Sequence, residues 1–214
     1  INTKKGSERI VRAAFEFAKR HGRKKVTVVH KANVVRATDG LFLEEAKKVA
    51  RDFPEIQVDD ANIDAICMWL LKNPFAYDVL VAPNLYGDII SDLCAQMVGG
   101  LGFGCSGNIG EKLAVFEPTH GSAPKYAGQY KVNPIATILA ARMMLDWLGE
   151  TEKGTRLEQV VAGTAPEDYR DPAQFFARTC FTRALREHAG MVLRRLSGRT
   201  DNTSPVLTLI TQFG

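Results

Sequence analysis

Val79-Leu-Val-Ala-Pro83-Asn84-Leu-Tyr-Gly87-Asp88-Ile-Ile-Ser-Asp92 sets a buried strand directly against a helix. Val79–Ala82 is a short apolar run with strand character. Pro83 and Gly87 punctuate the turn that follows. A helical pattern then runs from Asp88 to about Val98. A spacing of four puts Asp88 and Asp92 on one helix face. Two like charges so placed cost roughly 0.2–0.5 kcal/mol in an isolated helix. A divalent cation reverses that repulsion, and hard carboxylate oxygens suit Mg²⁺ or Mn²⁺. The plainer alternative is a helix cap at Asp88 and a solvated first-turn acid at Asp92.

The same alternation extends outward from this corner. Ser7–His21 reads as an amphipathic helix with Ser7 as its cap. Lys25–His30 is a β-branched strand, Gly40–Phe53 a second amphipathic helix and Glu55–Val58 a brief strand. Asn62–Lys72 is a helix apolar nearly all round, as in a core or a subunit interface. The six glycines of Gly99–Gly110 read as a loop, Leu113–Phe116 as a strand. Pro134–Leu148 is a helix with Pro at its start and Gly149 just past its end. Alternating strands and helices indicate an α/β sandwich. The tail departs from this rhythm: Thr164–Asp171 is a polar loop and Phe175–Leu196 an Arg-rich helical stretch. Ser197–Gly214 is polar apart from Val206–Ile210.

With 214 residues, 45% hydrophobic and 24% charged, the chain has ordinary globular composition. Its net charge of +4 is dispersed, which suits a small anionic substrate and argues against nucleic acid as a partner. The absence of a long apolar run argues against a membrane span. Cys67, Cys94, Cys105 and Cys180 show no metal-ligand spacing, which fits buried thiols in a reducing, cytoplasmic setting.

Two further clusters carry chemistry. His120-Gly121-Ser122-Ala123-Pro124-Lys125-Tyr126, followed by Asn133, has small residues that admit close approach of a ligand. Its lysine and phenol suit a phosphate; an ordinary exposed loop is the alternative. His30-Lys31-Ala-Asn33 leaves the end of a buried strand, where ligands gather in open α/β sheets. A lysine there serves as a base when burial and nearby cations lower its pKa. Asp64 lies on the apolar helix, where a lone carboxylate needs a partner.

In their order and spacing these motifs resemble the metal-dependent β-decarboxylating dehydrogenases of the isocitrate/isopropylmalate dehydrogenase family. The resemblance runs from Ile1 to Gly149. It is carried by His30–Asn33, Asp64, Asn84–Asp92, Gly107-Asn-Ile-Gly110, Glu117-Pro-Thr-His-Gly-Ser-Ala-Pro124 and Asn133-Pro134. It implies that fold, incomplete at its N-terminus. Residues 1–99 would form a substrate, metal and dimerisation half, 100–149 a remnant of the cofactor-binding domain, and 150–214 an atypical tail.

The resemblance also implies roles. Asp88 and Asp92 would ligate Mg²⁺ or Mn²⁺ with the substrate, and Asp64 would complete the site from the neighbouring subunit of a homodimer with shared active sites. Lys31 would arrive from the same neighbour for proton transfer, with Asn33 near nicotinamide and substrate. His120, Gly121, Ser122, Ala123, Lys125, Tyr126 and Asn133 would hold the adenosine half of the cofactor. Asn84-Leu-Tyr-Gly-Asp88 and His30 look most like isocitrate dehydrogenases. Lys125-Tyr126 stands where NAD-dependent members carry an acid, so the cofactor implied is NADP, with NAD the alternative.

The expected activity is oxidative decarboxylation of isocitrate, a 2-hydroxy tricarboxylate, to 2-oxoglutarate. It would be cytoplasmic, or in the mitochondrial matrix of a eukaryote. The alternatives are isopropylmalate or homoisocitrate as substrate, or an inactive fragment or regulatory subunit. The family's substrate-binding arginines, its Ser-x-Asn segment and its catalytic tyrosine do not occur after Ile1. The chain is therefore expected to be a partial form, without turnover in isolation.

Overall fold

A computed structural model describes residues 2–97, 100–110, 112–129, 131–163 and 208–211. The tail segments Thr164–Asp171 and Phe175–Leu196, and Cys180, lie outside them. The chain divides into two units, Ile1–Cys94 with Asn202–Gly214, and Ala95–Asp201.

The first unit is built on strands β1 (Lys25–His30), β2 (Gln57–Asn62), β3 (Val79–Ala82) and β6 (Thr208–Thr211). They form a parallel sheet in the order β2-β1-β3-β6. Parallel pairing requires crossovers, supplied by α2 (Thr38–Ala50) between β1 and β2 and α3 (Ile63–Lys72) between β2 and β3. β1 and β3 are buried on both faces, which is why they read as unbroken β-branched runs. Val26, Val28, Val79 and Val81 turn to one face. There they meet Val11, Ala14, Phe15 and Ala18 of α1 (Lys4–Arg20) and Phe42, Ala46 and Val49 of α2. Burying each such valine or phenylalanine contributes roughly 1.5–3 kcal/mol. Ile66 and Leu70 of α3 are buried against the strands as well.

The second unit pairs β4 (Cys105–Ile109) with β5 (Ala114–Pro118) in an antiparallel hairpin. Helix α5 (Ile135–Trp147) packs on the hairpin, and α6 (Thr151–Gly163) packs on α5. Arg142 of α5 bridges Asp146 and Glu158, tying the two helices together. The final helix of the first unit, α4 (Asn84–Met97), continues across the boundary at Cys94. Among the described residues, no helix is long and apolar enough to cross a membrane. Cys67, Cys94 and Cys105 are free thiols, and burial pushes Cys94 up to about 11.

Several sequence expectations shift. Thr3, not Ser7, caps α1: its hydroxyl accepts the Gly6 N–H at 3.1 Å, and Ser7 is buried inside the helix. α4 starts at Asn84, so Asp88 lies a turn inside it and is not its cap. β2 runs on through Asp59 and Asp60, whose polarity disguised it. Those carboxylates pair with β1, Asp59 Oδ2 with Lys25 at 2.6 Å and Asp60 with His30 at 3.0 Å.

The glycine segment 99–110 is not all loop, since β4 occupies Cys105–Ile109. Packing explains the glycine at 107: a Cβ there would sit 3.1 Å from the Phe116 ring and 3.3 Å from Met143. Finally, α3 is only half buried, with Met68, Trp69 and Leu71 at 58, 41 and 65% exposure.

Candidate active site

The chemistry-bearing residues of the first unit cluster by topology. Lys31 and Asn33 follow the carboxyl end of β1, Asp64 opens α3 after β2, and α4 follows β3. β1 lies between β2 and β3 in the sheet. The chain therefore crosses over β1 between β2 and β3, and the crevice at such strand ends is where open α/β sheets take ligands.

The Lys31 turn is fixed from several sides. Its backbone N–H donates to Asp39 Oδ2 at 2.7 Å, and its carbonyl accepts the N–H groups of Val34 and Val35. The Ala32 N–H donates to His30 Nδ1 at 3.0 Å, so the imidazole proton sits on Nε2 and is donated to Asp60. The Lys31 ammonium then reaches Asp64 Oδ1 at 2.5 Å. That hydrogen bond holds the exposed Asp64 carboxyl below the usual aspartate range. Asn33 is exposed on the same turn.

Asp88 and Asp92 are exposed one turn apart on α4. Their oxygen donors suit a hard divalent cation. Among the described residues, no three His, Cys, Asp or Glu groups converge to complete such a site. The structure brings Lys31 and Asp64 together, and leaves Asp88 and Asp92 as a separate pair.

In the second unit, the loop after β5 carries the other candidate residues. His120 Nδ1–H donates to the Gly121 carbonyl at 2.8 Å. Its Nε2 is shut off from solvent without a hydrogen-bond partner. The side of Gly121 where a Cβ would stand is open, so a ligand can approach the backbone there. Ser122 is exposed, and Ala123 adopts a left-handed conformation with φ 44° before the 3-10 turn Pro124–Tyr126. Lys125 Nζ lies 4.9 Å from the centre of the Tyr126 ring, and both side chains are exposed. Asn133 Oδ1 accepts the Ile135 N–H at 3.0 Å, capping α5.

Sequence reasoning missed Asp39, Tyr86 and Asp60. Asp39 is 3% exposed and accepts from Lys31. Burial first, then the neighbouring Asp39 carboxylate, raises the Tyr86 hydroxyl above its ordinary range. The signal for Asp39 was present in Thr38-Asp39-Gly-Leu-Phe, an acid at the head of an amphipathic helix. It reads as an exposed first-turn charge unless its burial is known.

A sheet of this order with acids and a lysine at its strand ends is an α/β scaffold of the kind that takes ligands at its carboxyl edge. The family model for isocitrate/isopropylmalate dehydrogenase matches residues 1–175, and the chain belongs to that family. It is 52% identical over 172 residues to a 3-isopropylmalate dehydrogenase of Archaeoglobus fulgidus, covering 80% of this chain and 53% of that protein. It is 50% identical over 159 residues to a probable mitochondrial isocitrate dehydrogenase [NAD] subunit alpha of Caenorhabditis elegans, covering 74% of this chain and 44% of the other. Among solved structures, isocitrate dehydrogenase from Methylococcus capsulatus superposes with a TM-score of 0.75 at 43% identity, over 87% of this chain and 57% of that one. The chain spans about half the length of the curated relatives it matches.

Proposed function

We propose that the protein carrying this chain catalyses NADP-dependent oxidative decarboxylation of isocitrate, with Mg²⁺ or Mn²⁺ as the resident cation. The observation that carries the reading is the Lys31–Asp64 pair at the carboxyl edge of a sheet whose next helix presents Asp88 and Asp92. Asp88 and Asp92 would hold the cation, with Asp64 as third donor from a second copy of the chain. Two facts support the shared arrangement. No three such donors converge within the described residues of one protomer. The helix that carries Asp64 also leaves Met68, Trp69 and Leu71 exposed, an apolar surface suited to a homodimer contact. Residues 1–99 would then supply the substrate and dimer half, and the loop after β5 the cofactor half.

When bound, the cation polarises the substrate's hydroxyl and carboxylate oxygens and the nicotinamide accepts hydride. The chain's own residues place and balance charge around those events. Lys31 Nζ exchanges a proton with the substrate's C2 hydroxyl, within hydrogen-bond reach of the neighbouring carboxylate of Asp64. The buried Asp39 and the His30–Asp60 pair keep that amine from wandering, so orientation is set before substrate arrives. Asn33 would orient the nicotinamide and substrate from the same turn.

On the cofactor side, Lys125 and Tyr126 present a cation and a hydroxyl to a 2′-phosphate, while His120, held to the Gly121 carbonyl, would shape the adenosine end of the loop. Asn133 would face the adenine edge with its amide nitrogen, since its oxygen is engaged by α5. NAD is the second reading, favoured by the NAD designation of the nematode relative. Isopropylmalate is the second substrate, favoured by the archaeal relative; homoisocitrate shares the same chemistry. The test is steady-state oxidation of isocitrate, isopropylmalate and homoisocitrate by the full-length protein with each cofactor and Mn²⁺. Isocitrate with NADP should give the highest kcat/KM. Preference for another pair reassigns the substrate or cofactor, and no turnover with any pair defeats the reading.

A further inference from the structure

His30 ends β1 with its side chain buried and both ring nitrogens engaged. Nδ1 accepts the Ala32 N–H at 3.0 Å, from the peptide that follows Lys31. Nε2 lies 3.0 Å from Asp60 Oδ2. An acceptor at one nitrogen and a donor at the other is what a neutral imidazole with its proton on Nε2 provides. The two contacts reach different strands. Ala32 belongs to the turn that leaves β1. Asp60 is on β2, two residues before Asn62, the partner of His30 in the parallel ladder. β2 runs directly into α3, whose second residue is Asp64. One ring therefore joins the segment that carries Lys31 to the segment that carries Asp64. The contact of Lys31 with Asp64 at 2.5 Å closes the circuit.

We propose that His30 is a positioning residue whose Nε2–H tautomer, selected by Asp60, holds Lys31 and Asp64 together as one preformed pair. The inference rests on the reading of Lys31 as a proton carrier and deepens it. Both members of the pair belong to the same copy of the chain. The clamp therefore works inside one copy and needs nothing from the copy whose Asp88 and Asp92 the pair meets. His30 touches no reacting atom. It acts through the Ala32 peptide on one side and through Asp60 on the other. The Asp60 carboxylate keeps the ring proton on Nε2, which leaves Nδ1 bare for Ala32. Without that carboxylate the proton is free to move to Nδ1, where it would oppose the Ala32 N–H donor to donor. The Lys31 turn would then lose its tether to β2. A misplacement of about 1 Å can cost as much as about 10²-fold in rate.

The test divides the ring in two, since asparagine places an oxygen about where Nδ1 stands and glutamine a nitrogen about where Nε2 stands. His30→Asn, His30→Gln, Asp60→Ala and Asp60→Asn are made in the full-length protein. Each is read by kcat and KM, by amide hydrogen exchange over residues 31–35, and, where His30 remains, by its ring nitrogen NMR shifts. The wild-type ring should show a bare Nδ1 and a protonated Nε2. Asp60→Ala should lower kcat about ten- to a hundredfold, with KM for the nicotinamide cofactor unchanged. It should also speed exchange over the segment and move the ring proton toward Nδ1. Asp60→Asn keeps an acceptor and should recover part of each loss. His30→Asn should lower kcat with exchange near wild type, because the Ala32 N–H keeps its acceptor. His30→Gln should speed exchange, because it does not. Combining His30→Asn with Asp60→Ala should cost no more than the worse single change, since both cut one tether. Asp60 is half exposed, so its variants decide if a His30 variant does not fold. Wild-type kcat with wild-type exchange in Asp60→Ala overturns the proposal, and so does a wild-type ring with its proton on Nδ1. A wild-type protein inactive on every hydroxy acid defeats only the dehydrogenase reading, and the ring shifts and exchange then decide the role of His30.

Discussion

Two lysines, each in a segment that follows a strand, are treated in opposite ways. Lys31 stands on a turn whose backbone is tied to a buried aspartate and a buried histidine, and its ammonium already rests on Asp64. Lys125 stands on an exposed 3-10 turn, and its ammonium is over the ring of its own neighbour Tyr126. The first arrangement is built before any ligand arrives. The second offers charge and hydroxyl at low cost, and a ligand must do the ordering. A group that moves protons gains from fixed geometry, because rate falls steeply with misalignment. A group that recognises a phosphate tolerates adjustment, since charge attraction is long-ranged and a lysine ammonium binds as a point charge.

The largest expected effect breaks the fixed side. Asp88→Asn should abolish Mn²⁺-dependent turnover while leaving the thermal melt unchanged, because the side chain is exposed and the carboxylate is the donor. Activity near wild type in that variant, or in excess chelator, would remove the cation from the site.

Next comes the adjustable side. Changing Lys125 to Asp and Tyr126 to Ile together should move the NADP-to-NAD ratio of kcat/KM toward NAD. On the NADP reading the swap would remove charge-assisted hydrogen bonds to the 2′-phosphate, each worth roughly 1.5–3 kcal/mol, about ten- to a hundredfold. A wild-type ratio below one, or a ratio unmoved by the swap, returns NAD as the cofactor.

Smaller still is the acid limb of the fixed side. Folding holds the Asp64 carboxyl below its unfolded value, through the hydrogen bond from Lys31. Whatever stability the pair contributes is therefore fully present above the ordinary aspartate value of about 3.9. It is lost as pH falls through the depressed folded value. A carboxyl-carbon NMR titration should place the Asp64 midpoint below that of an exposed control, and Lys31→Met should restore it.

The smallest effect sits in the adjustable loop. Ala123→Gly relieves a left-handed alanine but adds freedom to the unfolded chain. These opposing terms should leave stability within about 1 kcal/mol by chemical denaturation. A larger loss would mean that this loop is as tightly built as the Lys31 turn.

Legibility followed the same division. β1 and β3 have the bounds their β-branched runs announce, because burial on both faces leaves no polar residue to confuse the pattern. β2 was half hidden, since Asp59 and Asp60 look like loop residues until Lys25 and His30 are seen across the ladder. β4 was hidden by its setting among glycines, one of which is demanded by Phe116 packing and not by a turn. The Lys31–Asp64 pair joins residues 33 positions apart in sequence. No local pattern announces it. Asp39 escaped for a related reason: sequence gives an acid at a helix start and says nothing about whether water reaches it.

The pairing of β6 with β3 has a consequence for the order in which the molecule assembles. Val79–Ala82 takes its neighbour on one side from β1, close in the chain, and on the other from Thr208–Thr211. All of Ala95–Asp201 lies between those partners. During synthesis β1, β2 and β3 are available long before β6 leaves the ribosome, so one edge of β3 waits with unpaired peptide groups. Loop-closure entropy rises only slowly with length, so the delay is set by the ribosome more than by the search. Folding from denaturant should differ, with the whole chain present at once. Non-local parallel pairing is intrinsically slow, and protection of the β3 amides that face β6 should be the last to appear.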